Sequence, residues 1–582
     1  MSGTNDRPLI AALVPQADEA PAPSDAVGLV IGTPGQPATP LDFWLYVDPS
    51  RTLQLDDVVH VANELPEGGA VDLYGIVDEL RAVHEGVTFD SDVRLVTGGV
   101  LPADTAVTAH VSITRIAPEI YVPPLPGRAA VRARGAARDR ALSFDRMERR
   151  VPLGVSRAGE PIVGNLEFLD GRRGAHVNIS GVSGVATKTS YAVFLLHALF
   201  RGEALGALAP NARALVFNVK GEDLLFLDRP GAPLDATDRE RYAELGLPAE
   251  PFRSVAFFAP TRRGEQLIPD TGSRLEGVTG FLWTLRDFCA RRYLRFLFTD
   301  ADDERTQLGT VIDAVERQLA MAARLSLPVD GPGIEIAGEH IEDFESLVEA
   351  IAQQTDEAEG GTWARRAAPA TVQAFLRRLE ASTPHVGHLL RGEASLDAAR
   401  HRIDWSREQV TVVDLHRLHD RAQRFVVGAL LQGVLEERER LSAAGEAAPV
   451  FVVLDELNKY APREGRSPIK ERILDIAERG RSLGMILIGA QQTASEVEPR
   501  VVANCAFRVV GRLDAAEAQR SEYGFLTQAA RARAHLLTPG TMIVQQPEIP
   551  VPLLLQFPRP AWATRPSEVA PEAADPFARF NT

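Results

Sequence analysis

Two adjacent carboxylates at the end of an apolar run are the residues of this 582-residue sequence with the clearest chemical meaning. The run Val450-Phe-Val-Val-Leu454 has the composition of a buried parallel strand, and Asp455 and Glu456 follow it directly. In a P-loop nucleoside triphosphatase, a carboxylate in the first position helps to hold Mg²⁺, and one in the second orients the attacking water. Many buried strands that bind nothing also end in Asp, so the pattern needs a partner elsewhere in the chain.

That partner is a glycine-containing turn far upstream. It lies between a strand-like run, His176–Ser180, and a helix-like run, Tyr191–Phe200. Backbone N–H groups at such a turn, together with the positive end of the following helix, face phosphates. We therefore predict that ATP binds at Gly181, Gly184, Val185, Ala186, Thr187, Lys188, Thr189 and Ser190. In this arrangement Lys188 reaches the β- and γ-phosphates, while Thr189 and Asp455 hold Mg²⁺.

The turn departs in two places from the pattern G-x-x-x-x-G-K-[ST]. Thr187 stands where the glycine before the lysine is expected, and Val182 stands where the first glycine is expected. Gly181 is one residue too far from Lys188. One interpretation is a longer loop, or one whose φ angles suit other residues, that still binds nucleotide. The other is a strand-to-helix turn that binds nothing. The Asp-Glu strand favours the first, because the two motifs would support one pocket.

Composition limits the class of protein. A chain of this length with 45% hydrophobic residues should hold two or three domains with a large core. Only four of the 63 basic residues are lysines, and one of them is Lys188 in the turn. Cys289 and Cys505 are too few for a disulfide framework or a metal site, which indicates a reducing compartment. Without a long apolar run or a signal pattern, we expect a cytoplasmic protein with no membrane association.

The net charge of −16 argues against a protein coated in basic surface for nucleic acid, but not against a ring with a basic lining. Basic residues cluster in two segments. The first cluster comprises Arg128, Arg132, Arg134, Arg138, Arg140, Arg146, Arg149 and Arg150. The second follows the Asp-Glu strand and comprises Arg463, Arg466, Lys470 and Arg472. Each cluster is either a contact for phosphates or a solvated, salt-bridged face.

The N-terminal third of the chain predicts a small β-barrel. Short β-type runs separated by turn residues extend over residues 26–122. A disordered tail is predicted before them, over 1–25, and an Arg- and Pro-rich linker after them, over 123–150. The β-type runs are Gly28–Gly32, Phe43–Val47, Asp57–Val61, Val71–Gly75 and Ala106–Ile113.

The rest of the chain predicts an α/β domain that positions the two motifs. Strand and helix patterns alternate over 151–274 and 401–560, as expected for a doubly wound, mostly parallel sheet. Residues 275–400 predict a helical insertion, and 561–582 a polar C-terminal tail. The strand candidates are His176–Ser180, Ala214–Asn218, Val410–Asp414, Phe451–Leu454, Met485–Gly489 and Phe507–Val510. Within the insertion, the predicted helices include Phe281–Phe296 and Thr306–Leu325.

In this order the motifs resemble those of the HerA/FtsK superfamily of hexameric DNA-pumping ATPases, most of all the HerA branch. The resemblance implies a RecA-like P-loop domain after a small HAS-type barrel, and it covers most of the chain. Thr39–Val47 and Leu53–Val59 resemble the barrel. The segment Asn218–Leu224 resembles the one after the second core strand, where relatives usually carry Asp in place of Asn218. Asp455–Pro462 resembles the Walker B strand and the turn after it.

Two further motifs complete the resemblance. They are Arg479-Gly-Arg481-Ser-Leu-Gly484 and Ile488-Gly-Ala-Gln-Gln492-Thr-Ala-Ser-Glu-Val497. By position, the resemblance implies that Arg481 reaches the nucleotide site of a neighbouring subunit and that Gln492 senses the γ-phosphate. Together with Glu456 they form the predicted catalytic set. Arg479 and Gln491 remain alternatives for these two roles.

The resemblance also implies the assembly and its partners. A homohexameric ring that uses ATP and Mg²⁺ would pass DNA, double-stranded by preference, through its channel, with Arg463, Arg466, Lys470 and Arg472 facing it. Relatives act with a separate nuclease, such as a NurA-like protein, in DNA end processing and recombinational repair or in phage defence. The alternative is a weakly hydrolysing, nucleotide-binding ring scaffold that assembles a nuclease or effector, which the two missing glycines favour. A pump in conjugation or secretion is disfavoured by the lack of a membrane anchor in the sequence.

Overall fold

The computed structural model describes residues 25–85, 87, 89–182, 188–264, 267–274, 276–298, 308–327, 331–356, 361–443 and 448–569. The predicted N-terminal tail over 1–25 lies outside these ranges except for Asp25. The chain divides into two compact units, Met1–Arg146 and Met147–Thr582.

The first unit is a closed antiparallel barrel with the strand order β1-β2-β5-β4-β3-β6. Alternate residues of each strand point inward, and Phe43, Leu45 and Val59 are fully buried in its core. Two short helices accompany the barrel, α1 (Asp92–Thr97) and α2 (Ala136–Ala141). The strands are β1 (Ala26–Val30), β2 (Asp42–Val47), β3 (Val58–Glu64), β4 (Ala70–His84), β5 (Thr105–Ala117) and β6 (Ala129–Arg132).

The last barrel strand corrects the predicted linker over 123–150. β6 pairs with both β1 and β3, so it closes the barrel and removes two open strand edges. Two arginines of this segment form ion pairs within the same unit: Arg132 lies 2.8 Å from Asp57, and Arg128 lies 3.1 Å from Glu64. For these two arginines of the first cluster, the contacts are those of a salt-bridged face.

The second unit is built on a sheet that has twelve strands in the described residues, in the order β12-β11-β17-β10-β18-β19-β9-β20-β21-β22-β7-β8. Neighbours from β12 to β20 are parallel, and those from β20 to β8 are antiparallel. The strands of this sheet and of two small ribbons are β7 (Arg150–Val155), β8 (Pro161–Asn165), β9 (Val177–Ser180), β10 (Arg213–Asn218), β11 (Val255–Pro260), β12 (Val278–Phe281), β13 (Trp283–Thr284), β14 (Ile334–Ile336), β15 (Glu339–Ile341), β16 (Leu390–Arg391), β17 (Val410–Asp414), β18 (Val450–Asp455), β19 (Met485–Gln491), β20 (Phe507–Val510), β21 (Thr541–Gln546) and β22 (Ile549–Gln556).

The predicted fold class is confirmed: a mostly parallel P-loop type sheet accompanies an N-terminal barrel and a partly helical insertion. Each of the six strand candidates of the sheet forms a strand, because buried parallel strands are nearly continuous apolar runs. The helices of the second unit are α3 (Lys188–Arg201), α4 (Ala236–Glu244), α5 (Leu285–Ala290), α6 (Leu308–Leu325), α7 (Phe344–Thr355), α8 (Pro369–Glu380), α9 (Thr383–Val386), α10 (Asp420–Ala443), α11 (Leu457–Tyr460), α12 (Pro468–Leu483), α13 (Pro499–Ala503) and α14 (Gln528–Ala534). None of the helices in the described ranges is long and apolar enough to cross a membrane.

The insertion between β11 and β17 differs from its prediction in one helix. The run predicted as a single helix over Phe281–Phe296 contains the end of β12, the short β13, and α5. Thr284 ends β13 and caps α5, because its hydroxyl accepts a hydrogen bond from the backbone N–H of Asp287 at 2.9 Å. A short apolar, aromatic run does not distinguish strand from helix by its period, which explains the error.

The predicted C-terminal tail begins too early at residue 561. Trp562 is buried, and its ring centroid lies 5.1 Å from that of His197 and 5.2 Å from that of Phe252. The backbone N–H of Ala563 donates to the carbonyl of Arg229 at 2.9 Å. The described residues after β22 therefore still contribute to the core of the second unit.

Candidate nucleotide-binding site

The two motifs meet at the edge of the sheet where the parallel strands have their carboxyl ends. α3 begins at Lys188, and the hydroxyl Oγ1 of Thr189 donates to the carboxylate Oδ2 of Asp455 at 2.8 Å. β19 lies between β9, which precedes the turn, and β18, which ends at Asp455. Ligands of open parallel α/β sheets bind at this edge. Gly184, Val185, Ala186 and Thr187 of the predicted phosphate-binding turn lie outside the described residues.

Lys188 is buried at this edge, with 5% of its surface exposed. Burial, and after it the positive charge of Lys220, lower the pKa of Lys188 to about 8, against the opposite effect of Asp455 and Glu456. The ammonium form is thus less favoured here than in water. A bound phosphate would supply the negative charge that restores it.

Lys220 is a member of the site that the motif search did not assign. Its ammonium Nζ lies 2.9 Å from Oε1 of Glu456 and 3.5 Å from Oδ2 of Asp455. Burial lowers the pKa of Lys220, but the charges of the two carboxylates and their hydrogen bonds outweigh burial and raise it above its ordinary value. Lys220 follows β10, which pairs with β18, so the sheet order brings it to the carboxylates. The signal available in the sequence was a rare lysine directly after a core strand.

Glu456 adopts the left-handed backbone conformation, with φ 56° and ψ 50°. This conformation is uncommon outside glycine and costs roughly 1–3 kcal/mol where the surroundings impose it. The backbone N–H of Glu456 donates to Oδ1 of its neighbour Asp455 at 2.9 Å, which holds the turn. Asp455 is buried, whereas the side chain of Glu456 is 32% exposed. The second carboxylate therefore reaches the solvent side of the site, where water is available.

A buried polar network lies next to Lys220 at the same edge of the sheet, where β10 and β17 end. The amide Nδ2 of Asn218 donates to Oδ1 of Asp414 at 2.9 Å, and Nδ1 of His416 lies 2.8 Å from the same oxygen. The hydrogen bond that His416 donates to Asp414 is the main cause of the raised pKa of His416. Asp414 and Asn218 are both almost fully buried. An amide at position 218 suits this chain because a carboxylate there would face the buried charge of Asp414.

The two glutamines considered for γ-phosphate sensing differ in exposure. Gln491 is fully buried at the end of β19, where its Nε2 donates to Oγ of Ser180 at 3.2 Å and its carbonyl accepts from the N–H of Gly181 at 3.2 Å. Gln492 is exposed. Gln491 is thus next to the start of the phosphate-binding turn, while Gln492 is the one whose side chain meets solvent. Both assignments remain predictions.

The two arginines considered for action between subunits lie at the opposite edge of the sheet. Both belong to the last turns of α12, which leads into the amino end of β19. Arg481 donates from Nε to the carbonyl of Gly171 at 3.2 Å and from Nη2 to that of Arg172 at 2.6 Å. Arg479 forms an ion pair with Glu439 at 2.7 Å. Neither guanidinium is at the nucleotide edge of its own chain.

The basic segment predicted to face DNA is held by contacts within the chain. Arg463 lies 2.6 Å from Glu522, and Arg472 lies 3.1 Å from Asp475. Lys470 requires a correction: it is only 6% exposed, its Nζ lies 2.7 Å from Oε2 of Glu498, and it donates to the carbonyl of Gly465 at 2.9 Å. Its contacts therefore stabilise the segment, and its ammonium group does not face solvent. Arg466 is exposed.

Comparison with known proteins gives distant likenesses. No family model matches the chain. A probable helicase, MJ1565 of Methanocaldococcus jannaschii, is 22% identical over 107 residues, which cover 18% of this chain and 21% of that protein. The chain thus aligns with about a fifth of the length of this curated relative.

Two solved structures are similar over most of their length. VirB4 of Thermoanaerobacter pseudethanolicus is 15% identical with a TM-score of 0.43, over 73% of this chain and 99% of that one. The plasmid coupling protein TrwB, in complex with the non-hydrolysable ATP analogue ADPNP, is 12% identical with a TM-score of 0.44, over 73% and 93%. At such distances, what the site of this chain can do follows from its own residues.

Proposed function

We propose that this chain is a Mg²⁺-dependent ATPase that couples ATP hydrolysis to the movement of duplex DNA. The observation that carries the ATPase proposal is the 2.8 Å hydrogen bond from Thr189 to Asp455, which joins the turn-helix motif to the Asp-Glu strand. Lys188 and Glu456 lie at the same edge of the sheet. A lysine, a hydroxyl and two carboxylates in one place match the chemical needs of phosphoryl transfer to water.

The donor set at this edge fits Mg²⁺. The hydroxyl of Thr189 and the carboxylate of Asp455 are hard oxygen ligands, and Mg²⁺ in such sites usually takes one or two protein ligands with water and phosphate oxygens. When bound, the ion would neutralise negative charge on the β- and γ-phosphates.

The chain's own side chains then divide the work of hydrolysis. Lys188, whose pKa is lowered to about 8, regains a favourable environment for its positive charge next to the phosphates and holds them. Glu456 holds the attacking water by accepting a hydrogen bond from it. Before a ligand binds, Lys220 compensates the charges of Asp455 and Glu456 at 3.5 and 2.9 Å.

The proposed assembly is a homohexameric ring. Arg481, with Arg479 as the alternative, lies at the amino edge of its own sheet, so it can serve a nucleotide only in another subunit. Head-to-tail contacts that close make rings, and an arginine supplied in trans stabilises charge on the transferred phosphoryl group. DNA as the translocated substrate rests on the resemblance of the ordered motifs. The same resemblance suggests a separate nuclease partner, such as a NurA-like protein, in end processing, recombinational repair or phage defence.

The test is Mg²⁺-dependent ATP hydrolysis with and without linear duplex DNA. The wild-type chain is compared with Lys188→Ala and Glu456→Gln at matched assembly state. We expect DNA-stimulated turnover that falls at least about 100-fold in both variants, because each removes a group used in the transition state. A wild-type ring without turnover, even with a nuclease partner added, would instead leave the nucleotide-binding scaffold.

A further inference from the structure

A second cavity, of about 320 Å³, opens at the carboxyl edge of the same sheet. Three segments form it: the residues after β11, the region of α9, and the residues between β17 and α10. In the sheet, β10 separates β17 and β11 from β18. The residues that line this cavity are therefore distinct from those of the nucleotide site. The basic residues that line the cavity are Arg262, Arg263, Arg417, His385, His388 and His419.

The cavity has an excess of positive charge. Asp270 is the one carboxylate among its described lining residues, and it lies 3.0 Å from Arg417 and 3.6 Å from Arg262. Arg263 donates to the carbonyl of Pro384 at 2.7 Å and has no carboxylate partner among the described residues. Three guanidinium groups therefore face a single negative charge. Such a site attracts anions and repels cations.

His385 and His388 supply hydrogen-bond donors rather than charge. Burial and the charge of Arg263 lower the pKa of His388 to about 4, against a smaller opposite effect of Asp270. Burial also lowers the pKa of His385, helped by His419 and nearby arginines. The rings of His385 and His419 stack, with centroids 3.7 Å apart and planes inclined by 11°. At neutral pH each neutral ring still carries one N–H that can donate to an oxygen.

The amino end of α10 adds to the attraction for anions. This helix has 24 residues and starts at Asp420, directly after the lining residues Arg417 and His419. The amino end of a long helix carries partial positive charge. The carboxylate of Asp420 does not cancel it, because Lys459 lies 2.6 Å and Arg424 2.9 Å from that carboxylate.

We propose that this cavity binds a phosphoryl group through Arg263, Arg417 and the histidines that line it. Guanidinium forks match phosphate geometry, and charge-assisted hydrogen bonds to phosphate are stronger than neutral ones. We assign this phosphoryl group to the backbone of translocated DNA, an assignment that rests on the proposed function. The side chains of Arg262 and Arg417 are 45% and 43% exposed, so the rim is open to a large ligand. A free phosphate-bearing small molecule shares the chemistry and is the other source.

The first arm of the test measures binding of labelled linear duplex DNA at several salt concentrations. The double variant Arg263→Gln/Arg417→Gln is compared with the wild type and with a control of equal charge change, Arg407→Gln/Arg440→Gln. The control arginines are 79% and 77% exposed and lie before β17 and in the last turn of α10, away from the cavity. We expect about tenfold weaker binding and a salt slope smaller by about two for the cavity variant only.

The second arm uses pyrophosphate as the probe, in a Lys188→Ala background so that the nucleotide site does not respond. Pyrophosphate should raise the Tm of this chain, and the added cavity substitutions should abolish the rise. If the cavity substitutions abolish the Tm rise but all variants bind DNA equally, the cavity binds a phosphoryl group that does not belong to DNA. That result would overturn the assignment to DNA. Equal DNA binding together with an unchanged Tm response would overturn both.

Two controls separate this inference from the proposed function. A wild-type ring that binds DNA through the cavity but does not hydrolyse ATP would contradict the proposed ATP-driven translocation. The assignment of the cavity to DNA would not be affected by that result. If the double variant does not fold, Arg263→Gln alone is used, since within the described part of the chain this side chain donates to the carbonyl of Pro384 and to no other group. About threefold weaker DNA binding is then expected for one lost phosphate contact, and no change would overturn the proposal.

Discussion

The barrel and the carboxyl edge of the sheet both gather charged side chains, but the protein environment shifts the pKa values of His110 in the barrel and Lys188 at the edge in opposite directions. In the barrel, His110 lies 2.6 Å from Asp78 and 3.1 Å from Asp42, and its pKa is raised to about 9, mainly by the hydrogen bond to Asp78. At the sheet edge, burial lowers the pKa of Lys188 to about 8. The barrel cluster satisfies its own charge, whereas the charged form of Lys188 is less favoured than in water and would be stabilised by an anion.

The lowered pKa of Lys188 distinguishes the edge cluster from the barrel cluster, since Lys220 at the edge has a raised pKa, as His110 does in the barrel. Neither burial nor the number of charged residues makes this distinction, because both regions contain partly buried cations and carboxylates. Three substitutions test the contrast.

The largest effect is expected from Thr189→Val at the edge cluster. It removes the hydroxyl that donates to Asp455 at 2.8 Å, and with it one oxygen ligand of the predicted metal site. We expect ATP turnover to fall by about 100-fold, measured at saturating Mg²⁺. Thr189→Ser keeps the hydroxyl and should retain most of the activity. Equal activity in both variants would mean that the edge cluster, like the barrel cluster, is structural.

Asn218→Asp should destabilise the second unit. A second buried carboxylate would replace the amide that donates to Asp414 at 2.9 Å. We expect a loss of about 2–4 kcal/mol in the free energy of unfolding at pH 7, from urea denaturation. The repulsion raises the folded-state pKa of the pair, so the loss should shrink as the pH falls toward about 4.

The control for this position is Asn218→Ala, which should cost about 1 kcal/mol with no pH dependence, because it removes a hydrogen bond without adding a charge. If Asn218→Asp shows the same small cost at every pH, the charge of Asp414 does not reach position 218.

The smallest effect is expected from His110→Gln in the barrel. The folded-state pKa of His110 is about 9, above the ordinary value of 6.5. Its stabilising effect is therefore complete below about pH 6.5 and is lost as the pH rises through about 9. Because Asp42 is 44% exposed and partly screened, we expect about 1 kcal/mol.

The measurement is the urea midpoint of the full chain at pH 6 and pH 9. The wild type should lose stability over this interval relative to His110→Gln, and ATP turnover should be the same in both. If the difference in urea midpoint between the wild type and His110→Gln is the same at both pH values, the charge of His110 does not stabilise the barrel.

The sequence was sufficient to predict six of the twelve strands that the described residues form in the sheet, and to bring the Asp-Glu strand and Lys188-Thr189 together as one candidate site. Strands such as β18 and β19 are apolar runs long enough to be predicted alone, and the lysine-threonine turn has a chemical meaning by itself. The sixth barrel strand was missed because Ala129–Arg132 has only four residues and lies among arginines and prolines. Its pairing depends on the open edges of two distant strands, which no local pattern reveals.

Contacts that depend on the order of strands in the sheet also could not be predicted from the sequence. Lys220 meets Glu456 because β10 is next to β18 in the sheet, although the two strands are far apart in the chain. Lys470 was predicted to face DNA because it lies in a basic segment after the Asp-Glu strand, yet it is buried against Glu498. For both lysines, the side chain's partner rather than its neighbours in sequence determines its environment.

The ion pair of Lys220 with the two carboxylates bears on the order in which metal and nucleotide bind. An isolated divalent ion would have to displace an ammonium that already balances Asp455 and Glu456 at 3.5 and 2.9 Å. A metal already chelated by a triphosphate brings its own negative charge, which Lys188 and Lys220 can accept. We therefore expect metal and nucleotide to enter together as one complex. A chelator should leave the fold of the resting protein unchanged.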